Sequence, residues 1–344
     1  MKGRRPFHLR SAKLASERPL VAMVGGDTLL SKEIREVLGE NKPAPRVQLI
    51  SAAGDGSTLL SLEEDEAAVL TPLSAESLEG ASVAFLAGSQ ASSRRALKLN
   101  PAGGPVLIDL AGALEEQPNA RLRAPSAEPE TGRPAAAAIH VVAHPAAIAL
   151  AIFLARLARA GTIRRALVHI FEPASERGQR GLDELQQQTV AVLNFQKLKQ
   201  DVFDAQAGFN MLARYGEEAL EPLQGIEQRI ERHLASLLAA WPGVPMPSLR
   251  LIQAPVFHGH SFSLWVEFDE QPGVETIVRI LEEGGIDVRP DDPPTNAGIA
   301  GQSGLSAGAI AVDNNNARAC WFWIVSDNLR LAAENAVAVA RELL

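Results

Sequence analysis

Two histidines, His258 and His260, stand two residues apart in the stretch AlaProValPheHisGlyHisSer at 254–261. If that stretch is extended, alternation puts both rings on one face, where they could hold a metal ion or supply an acid–base group to a pocket. Spacing places no third ligand, so no metal site is assigned. A histidine held by hydrogen bonds in a polar pocket accounts for either residue equally well. The second chemical signal is a turn: Leu20–Val24 is a short apolar run leading into Gly25-Gly26-Asp27-Thr28. Leu29, Leu30, Ile34, Val37 and Leu38 then recur at helical spacing. Strand, glycine turn and helix together form the usual cradle for a nucleotide pyrophosphate, because the N–H groups at a helix start point at the anion. Cys320, the only cysteine, lies in the run CysTrpPheTrpIle and reads as a buried structural thiol rather than a nucleophile. A single cysteine excludes a disulfide framework and points to a reducing, cytoplasmic compartment.

The elements that position these groups follow from periodicity. Val47–Ser51, Val83–Ala87, Val106–Asp109 and His140–Ala143 read as further strands, with a helix over Ser92–Leu99 and turns at Gly54-Asp55-Gly56 and Gly88. Alternating strands and helices imply a parallel sheet covered on both faces, an α/β fold. Glu115–Pro134, polar and proline-bearing, reads as an excursion loop. Helices are expected over Pro145–Ala160, Arg180–Phe203, Gly225–Leu238, Val274–Glu283 and Asn328–Leu343. Strands are expected over Arg165–Phe171, Leu249–Val256, Ser261–Phe268, Ala307–Val312 and Ala319–Ser326. These longer strands suggest a mixed or antiparallel sheet able to support a dimer.

The 344-residue chain carries 33 basic and 41 acidic side chains, a net charge of −8, which argues against a nucleic-acid binder. The run Pro145–Ala155 is too short to cross a bilayer, and the basic residues 1–19 lack the apolar core of a secretory signal, reading instead as a flexible tail. No nucleic-acid or membrane partner is expected.

Taken in order, ValAlaMetValGlyGlyAsp at the first turn, PheLeuAlaGlySer at 85–89, LeuIleAsp at 107–109 and GlyLeuAspGluLeu at 181–185 resemble the aspartate-semialdehyde dehydrogenase family. GlyPheAsnMet at 208–211, the histidine stretch at 254–261 and SerAspAsnLeuArg at 326–330 continue the likeness. The branch most similar is that of the catalytically degenerate Usg-type paralogues. The resemblance implies a Rossmann-like NAD(P)-binding domain at 20–143, completed by the C-terminal helix 327–344. It also implies an inserted α/β dimerisation domain at 144–326, and hence a homodimer.

Family chemistry reduces aspartyl phosphate with NADPH through a cysteine thioester. The resemblance places His260 at the acid–base histidine, but Ala147 at the nucleophilic cysteine, in the turn His144-Pro145-Ala146-Ala147. Gln253 stands where an arginine would grip the substrate carboxylate, Glu115 where another would grip phosphate, and Glu172 at an active-site glutamine. In the nucleotide turn Gly25 and Gly26 are followed by Asp27, and Thr28 and Ser31 replace two glycines. The arginine for a 2′-phosphate is missing from 51–54, whereas Gly88 and Asn328 match cofactor-pocket positions. A methyl group cannot form a thioester. The expectation is therefore a dimeric binding or regulatory paralogue, without the parent activity and with at most weak NADP or NAD binding, that takes a small-molecule ligand. The alternatives are an active NAD(P)-dependent semialdehyde dehydrogenase of amino-acid biosynthesis, or a non-covalent enzyme using His260 and Glu172.

Overall fold

The computed structural model describes residues 18–40, 42–52, 59–63, 66–129 and 137–344. The basic tail, apart from its last two residues, and the Gly54-Asp55-Gly56 turn lie outside them. The chain divides into two compact units: residues 18–121, 137–141 and 336–344 of the described chain form the first, and 122–129 with 142–335 the second.

In the first unit the expected alternation is observed: β1 (Leu20–Val24), α1 (Leu29–Gly39), β2 (Arg46–Ile50), β3 (Leu59–Glu63), β4 (Glu66–Leu70), α2 (Ala75–Leu78), β5 (Val83–Leu86), α3 (Gln90–Leu99) and β6 (Val106–Asp109). β3 and β4 form an antiparallel pair that the sequence reading did not find. β7 (Ala120–Arg123) and β8 (Ile139–Val142) complete a six-stranded sheet of order β2-β1-β5-β6-β8-β7. β1 pairs in parallel with β2 and β5, β5 with β6, and β6 with β8. The runs ValAlaMetVal in β1 and ValAlaPheLeu in β5 are buried throughout, as a sheet covered on both faces demands. The reading of Glu115–Pro134 as loop needs correction, since β7 lies inside it. Ala120, Arg121, Leu122 and Arg123 do alternate in polarity, but four residues set between Pro118 and Pro125 are too short a run to announce a strand.

The second unit begins with α4 (Pro145–Leu157), buried except for Arg156. After it come β9 (Ile163–Glu172), a short 3-10 turn at Ala174–Arg177, α5 (Gly178–Leu193) and α6 (Leu223–Leu238). β10 (Ser248–Gln253), β11 (His260–Phe268), α7 (Val274–Glu283), β12 (Asp287–Arg289), α8 (Asn296–Ile299), β13 (Ser306–Asp313) and β14 (Asn316–Ser326) follow, and α9 (Asn328–Leu343) ends the chain. The sheet order is β10-β9-β11-β14-β13-β12, with β9–β10 and β12–β13 parallel and the other pairs antiparallel. It is the mixed sheet expected of an inserted domain. Helix α5 stops ten residues earlier than its periodicity suggested. Phe195 takes a positive φ of 54°, and Leu198 and Phe203 fall in irregular chain rather than on a helical face. Helix α4 likewise closes at Leu157 instead of running to Ala160.

Cross-strand neighbours Leu167, Trp265 and Trp321 make an apolar row over three strands. Leu167 and Trp321 are 39% and 38% exposed. Cys320, one residue along β14, faces the other way and is fully buried, and its burial pushes the thiol pKa up. No helix among the described residues is long and apolar enough to cross a membrane.

Candidate functional site

In the first unit the glycine turn follows β1, as expected. Gly25 has φ of 85°, and a side chain there would lie 2.6 Å from the Gly88 backbone, so glycine is required at Gly25; a side chain at Gly88 would instead meet the Ser92 hydroxyl oxygen at 2.6 Å. The Gly25 and Gly26 N–H groups both donate to the Ile50 carbonyl, at 2.8 and 3.1 Å. Thr28 is the N-cap of α1. Its hydroxyl accepts from the Ser31 N–H at 3.2 Å, and it lies 2.9 Å from the Gly25 carbonyl and 3.0 Å from the Ala87 carbonyl, either of which takes its proton. Ser31, buried, donates its own hydroxyl to the Thr28 carbonyl. The N–H groups of Gly25, Gly26 and Ser31 and the Thr28 and Ser31 hydroxyls are thus all met by protein groups, and Asp27 stands exposed beside them.

The second unit brings Ala147, Glu172, Gln253, His260 and Asn328 into connected elements. His144 is the N-cap of α4: its Nδ1 accepts from the Ala146 N–H at 3.2 Å. A ring nitrogen that accepts carries no proton, so the neutral ring bears its proton on Nε2, which lies 3.5 Å from the Glu176 carboxylate. Ala147, in the first turn of the same helix, is fully buried. The His144 N–H donates to Nδ1 of His233, on α6, at 2.9 Å.

His260 opens β11, its ring 5.7 Å from that of His144 and 5.9 Å from Phe262. It is fully buried, and neither ring nitrogen has a hydrogen-bond partner in the protein. Burial holds both His144 and His260 below the ordinary imidazole range, His144 the further of the two. The expected histidine pair does not form. His258 lies in a bend before the strand, and Gly259 between them has φ of 80°, which breaks the alternation.

Asn328, at the start of α9, ties this region together. Its Oδ1 accepts from the Gly259 N–H at 3.0 Å and from the Ser175 hydroxyl at 3.1 Å, while its amide donates to Glu176 at 2.8 Å. Glu172, fully buried at the end of β9, accepts from Arg177 at 2.9 Å through one oxygen, and its other oxygen has no partner. Burial, only partly offset by Arg177, raises its pKa to about 7. Arg177 also binds Glu221 at 3.0 Å, and Glu221 in turn binds Arg229.

Gln253 is fully committed to this framework. It accepts from the Tyr215 hydroxyl at 2.6 Å and donates to the carbonyls of Glu172 and Ala254, each at 2.9 Å. Glu115 belongs to the first unit, in the turns after β6. Sequence reasoning missed Glu176, Arg177, Tyr215 and His233. His233 was the most legible of them, a polar residue on the apolar stripe Ile226, Ile230, Leu234, Leu237. Among the described residues, no group of three or more candidate ligands could hold a metal ion.

Compared with known proteins, the semialdehyde dehydrogenase dimerisation domain family matches residues 154–331. A USG-1 protein homolog of Azotobacter vinelandii is 32% identical over 94% of this chain and 97% of its own length. The aspartate-semialdehyde dehydrogenase of Prochlorococcus marinus is 25% identical over 95% and 97%. The solved structure of a probable aspartate-semialdehyde dehydrogenase from Pseudomonas aeruginosa superposes with a TM-score of 0.81 at 27% identity, covering 94% of this chain and 98% of its own.

Proposed function

This chain belongs to the aspartate-semialdehyde dehydrogenase family, and from that membership we propose that it is a homodimeric paralogue without the family's covalent reaction, acting by binding. The observation that carries the reading is Ala147. The first turn of α4 presents a buried methyl group beside His144, at the position the family resemblance gives to the nucleophile. Cys320 is no substitute, being buried in β14 with its thiol pKa raised. Loss of a covalent nucleophile costs a factor on the order of 10⁶ in rate.

The nicotinamide dinucleotide does not fit the turn as it stands. The Thr28 hydroxyl caps α1 where a phosphate oxygen would be received, and both glycine N–H groups are spent on Ile50. The exposed Asp27 carboxylate adds repulsion. NADP is therefore expected to bind weakly at most.

Dimerisation is supported by the family match and by the half-exposed row Leu167, Trp265, Trp321, an apolar strip of the kind a second sheet covers. Sedimentation should give twice the 36.7 kDa chain mass, and a monomer at micromolar concentration would contradict it. The activity test is phosphate-dependent oxidation of aspartate semialdehyde with NADP and with NAD, followed by absorbance. The expected rate is that of buffer. Turnover abolished by His260→Ala would mean that the active site has been rebuilt, not lost.

A further inference from the structure

The polar groups around His260 are buried, but they are not all satisfied. His144 and His233 have each spent the Nδ1 lone pair on a backbone N–H. His260 alone among the three keeps its lone pair and its N–H without a protein partner, although it is fully buried. Leaving a buried polar group unmet costs about 1–3 kcal/mol, so a cluster that keeps several calls for an occupant. One Glu172 oxygen is a second unmet acceptor, and the Arg177 Nε is an unmet donor.

Charge decides what kind of occupant fits. The carboxyl groups acting on the cluster are Glu172, Glu176, Glu221 and Asp327, and the cations are Arg177 and Arg229. Arg177 is taken up by Glu172 and Glu221, and Arg229 by Glu221. Asp327 is capped by the N–H groups of Gly301 and Arg330. Glu176 is met by an uncharged amide, Asn328, and by the His144 ring, which burial keeps neutral. The surroundings of His260 therefore carry an excess of negative charge, and a phosphate dianion would add to it. A primary ammonium offsets it and brings three donors to a cluster in which the His260 lone pair and one Glu172 oxygen have none.

Building on the binding reading above, we propose that the cluster of His260, Glu176, His144 and Glu172 binds a small primary ammonium compound without anionic groups. The Glu176 carboxylate takes the cation, the His260 lone pair accepts one of its protons, and the His260 and Arg177 N–H groups meet an adjoining hydroxyl or carbonyl oxygen.

The test uses 2-aminoethanol as probe on the full-length protein, with ethylene glycol and inorganic phosphate as comparators, reading the ¹⁵N signals of the histidine rings. Saturable shifts of the His260 signals with 2-aminoethanol, at roughly millimolar affinity, and none with the comparators are expected. Glu176→Gln, which keeps an oxygen for Asn328, should weaken that affinity at least about tenfold. Unchanged affinity in that variant, equal response to ethylene glycol, or saturation by phosphate would each overturn the proposal. If the variant does not fold, the contrast between 2-aminoethanol and ethylene glycol on the wild type decides the matter, and no response to 2-aminoethanol overturns it. Turnover in the aldehyde assay would defeat the binding reading instead and is measured separately, so the two failures are told apart.

Discussion

The turn at Gly25–Ser31 and the cluster around His260 both gather polar groups at the start of a helix, and they treat those groups in opposite ways. In the turn the glycine N–H groups meet Ile50, and the Thr28 hydroxyl accepts from the Ser31 N–H and donates to the carbonyl of Gly25 or Ala87. In the cluster, His260 and one oxygen of Glu172 are buried without partners. A site that has closed on itself gains stability and loses affinity for ligand. One that keeps unmet groups at a cost of a few kcal/mol is being held open for something. Under the binding reading proposed above, that contrast places the ligand in the second unit.

The strongest way to break that contrast is to place at Gln253 the arginine that the family resemblance gives to this position. Its amide serves Tyr215, Glu172 and Ala254, so Gln253→Arg strands the Tyr215 hydroxyl and two carbonyls and brings a guanidinium into a fully buried position. A loss of about 3–5 kcal/mol in urea unfolding is expected. Ala147→Cys combined with this change should therefore yield a less stable protein and no turnover. A combination that retained full stability would mean that the cluster tolerates the parent's anion clamp and was never rebuilt around neutral groups.

A smaller effect comes from pH. His144 and His260 are held below their ordinary pKa chiefly by burial, with Glu176 and Asp327 pulling His260 back up and Arg177 pushing both down. Below the ordinary imidazole pKa the unfolded chain binds two protons that the folded chain refuses, so stability rises with pH up to about 6.5, by ~1.4 kcal/mol per pH unit for each ring. Glu172 works against this. Its pKa is raised to about 7 by burial, against which Arg177 and Arg229 pull down and Glu176 pushes up. The folded chain therefore keeps a proton that the unfolded chain has lost, and stability falls as pH rises from the ordinary glutamate pKa toward 7. Two rings against one carboxyl leave a net rise below about pH 6.5 and a slight fall just above it. Glu172→Gln should steepen the rise and His260→Gln should flatten it, read from urea midpoints at about pH 5.5, 6.5 and 7.5. If His260→Gln leaves the slope unchanged, His260 is not a buried neutral ring.

How much of this could be read from residues alone differs between the two regions for a physical reason. The turn is local: β1, Gly25 and α1 are contiguous, so a strand-turn-helix pattern was enough to find them, and so were the parallel strands around them. The cluster is assembled from β9, the 3-10 turn, α4, α6, β11 and α9. His260 stood out as one of two closely spaced histidines, and Glu172, Gln253, Asn328 and the Ala147 position were found through the family resemblance. Glu176 and Arg177 sit in a 3-10 turn too short to show periodicity. The positive φ at Gly259 and Phe195, which removed His258 from the strand and ended α5 early, left no signal beyond a glycine in one case and none in the other.

The smallest effect is the one that tests the closed turn itself. Thr28→Val keeps the branched shape but removes the hydroxyl that caps Ser31 and reaches the Gly25 and Ala87 carbonyls. Loss of such a cap costs about 1 kcal/mol. Thr28→Gly should cost only a few tenths, since glycine is tolerated at an N-cap and leaves room for water to meet the freed Ser31 N–H. The two variants separate sterics from capping, because only glycine clears the space in front of the helix start. By calorimetric titration the wild type and Thr28→Val should show no tight NADP binding, whereas Thr28→Gly should gain measurable affinity as the phosphate takes the place of the hydroxyl. A gain confined to Thr28→Gly would mean that one side chain keeps the turn shut. With no gain in either variant, the remaining barrier is charge, and Asp27→Asn in the Thr28→Gly background is the change that should then release it. Micromolar NADP affinity in the wild type would remove the contrast altogether, because a phosphate would then be displacing the Thr28 cap without help.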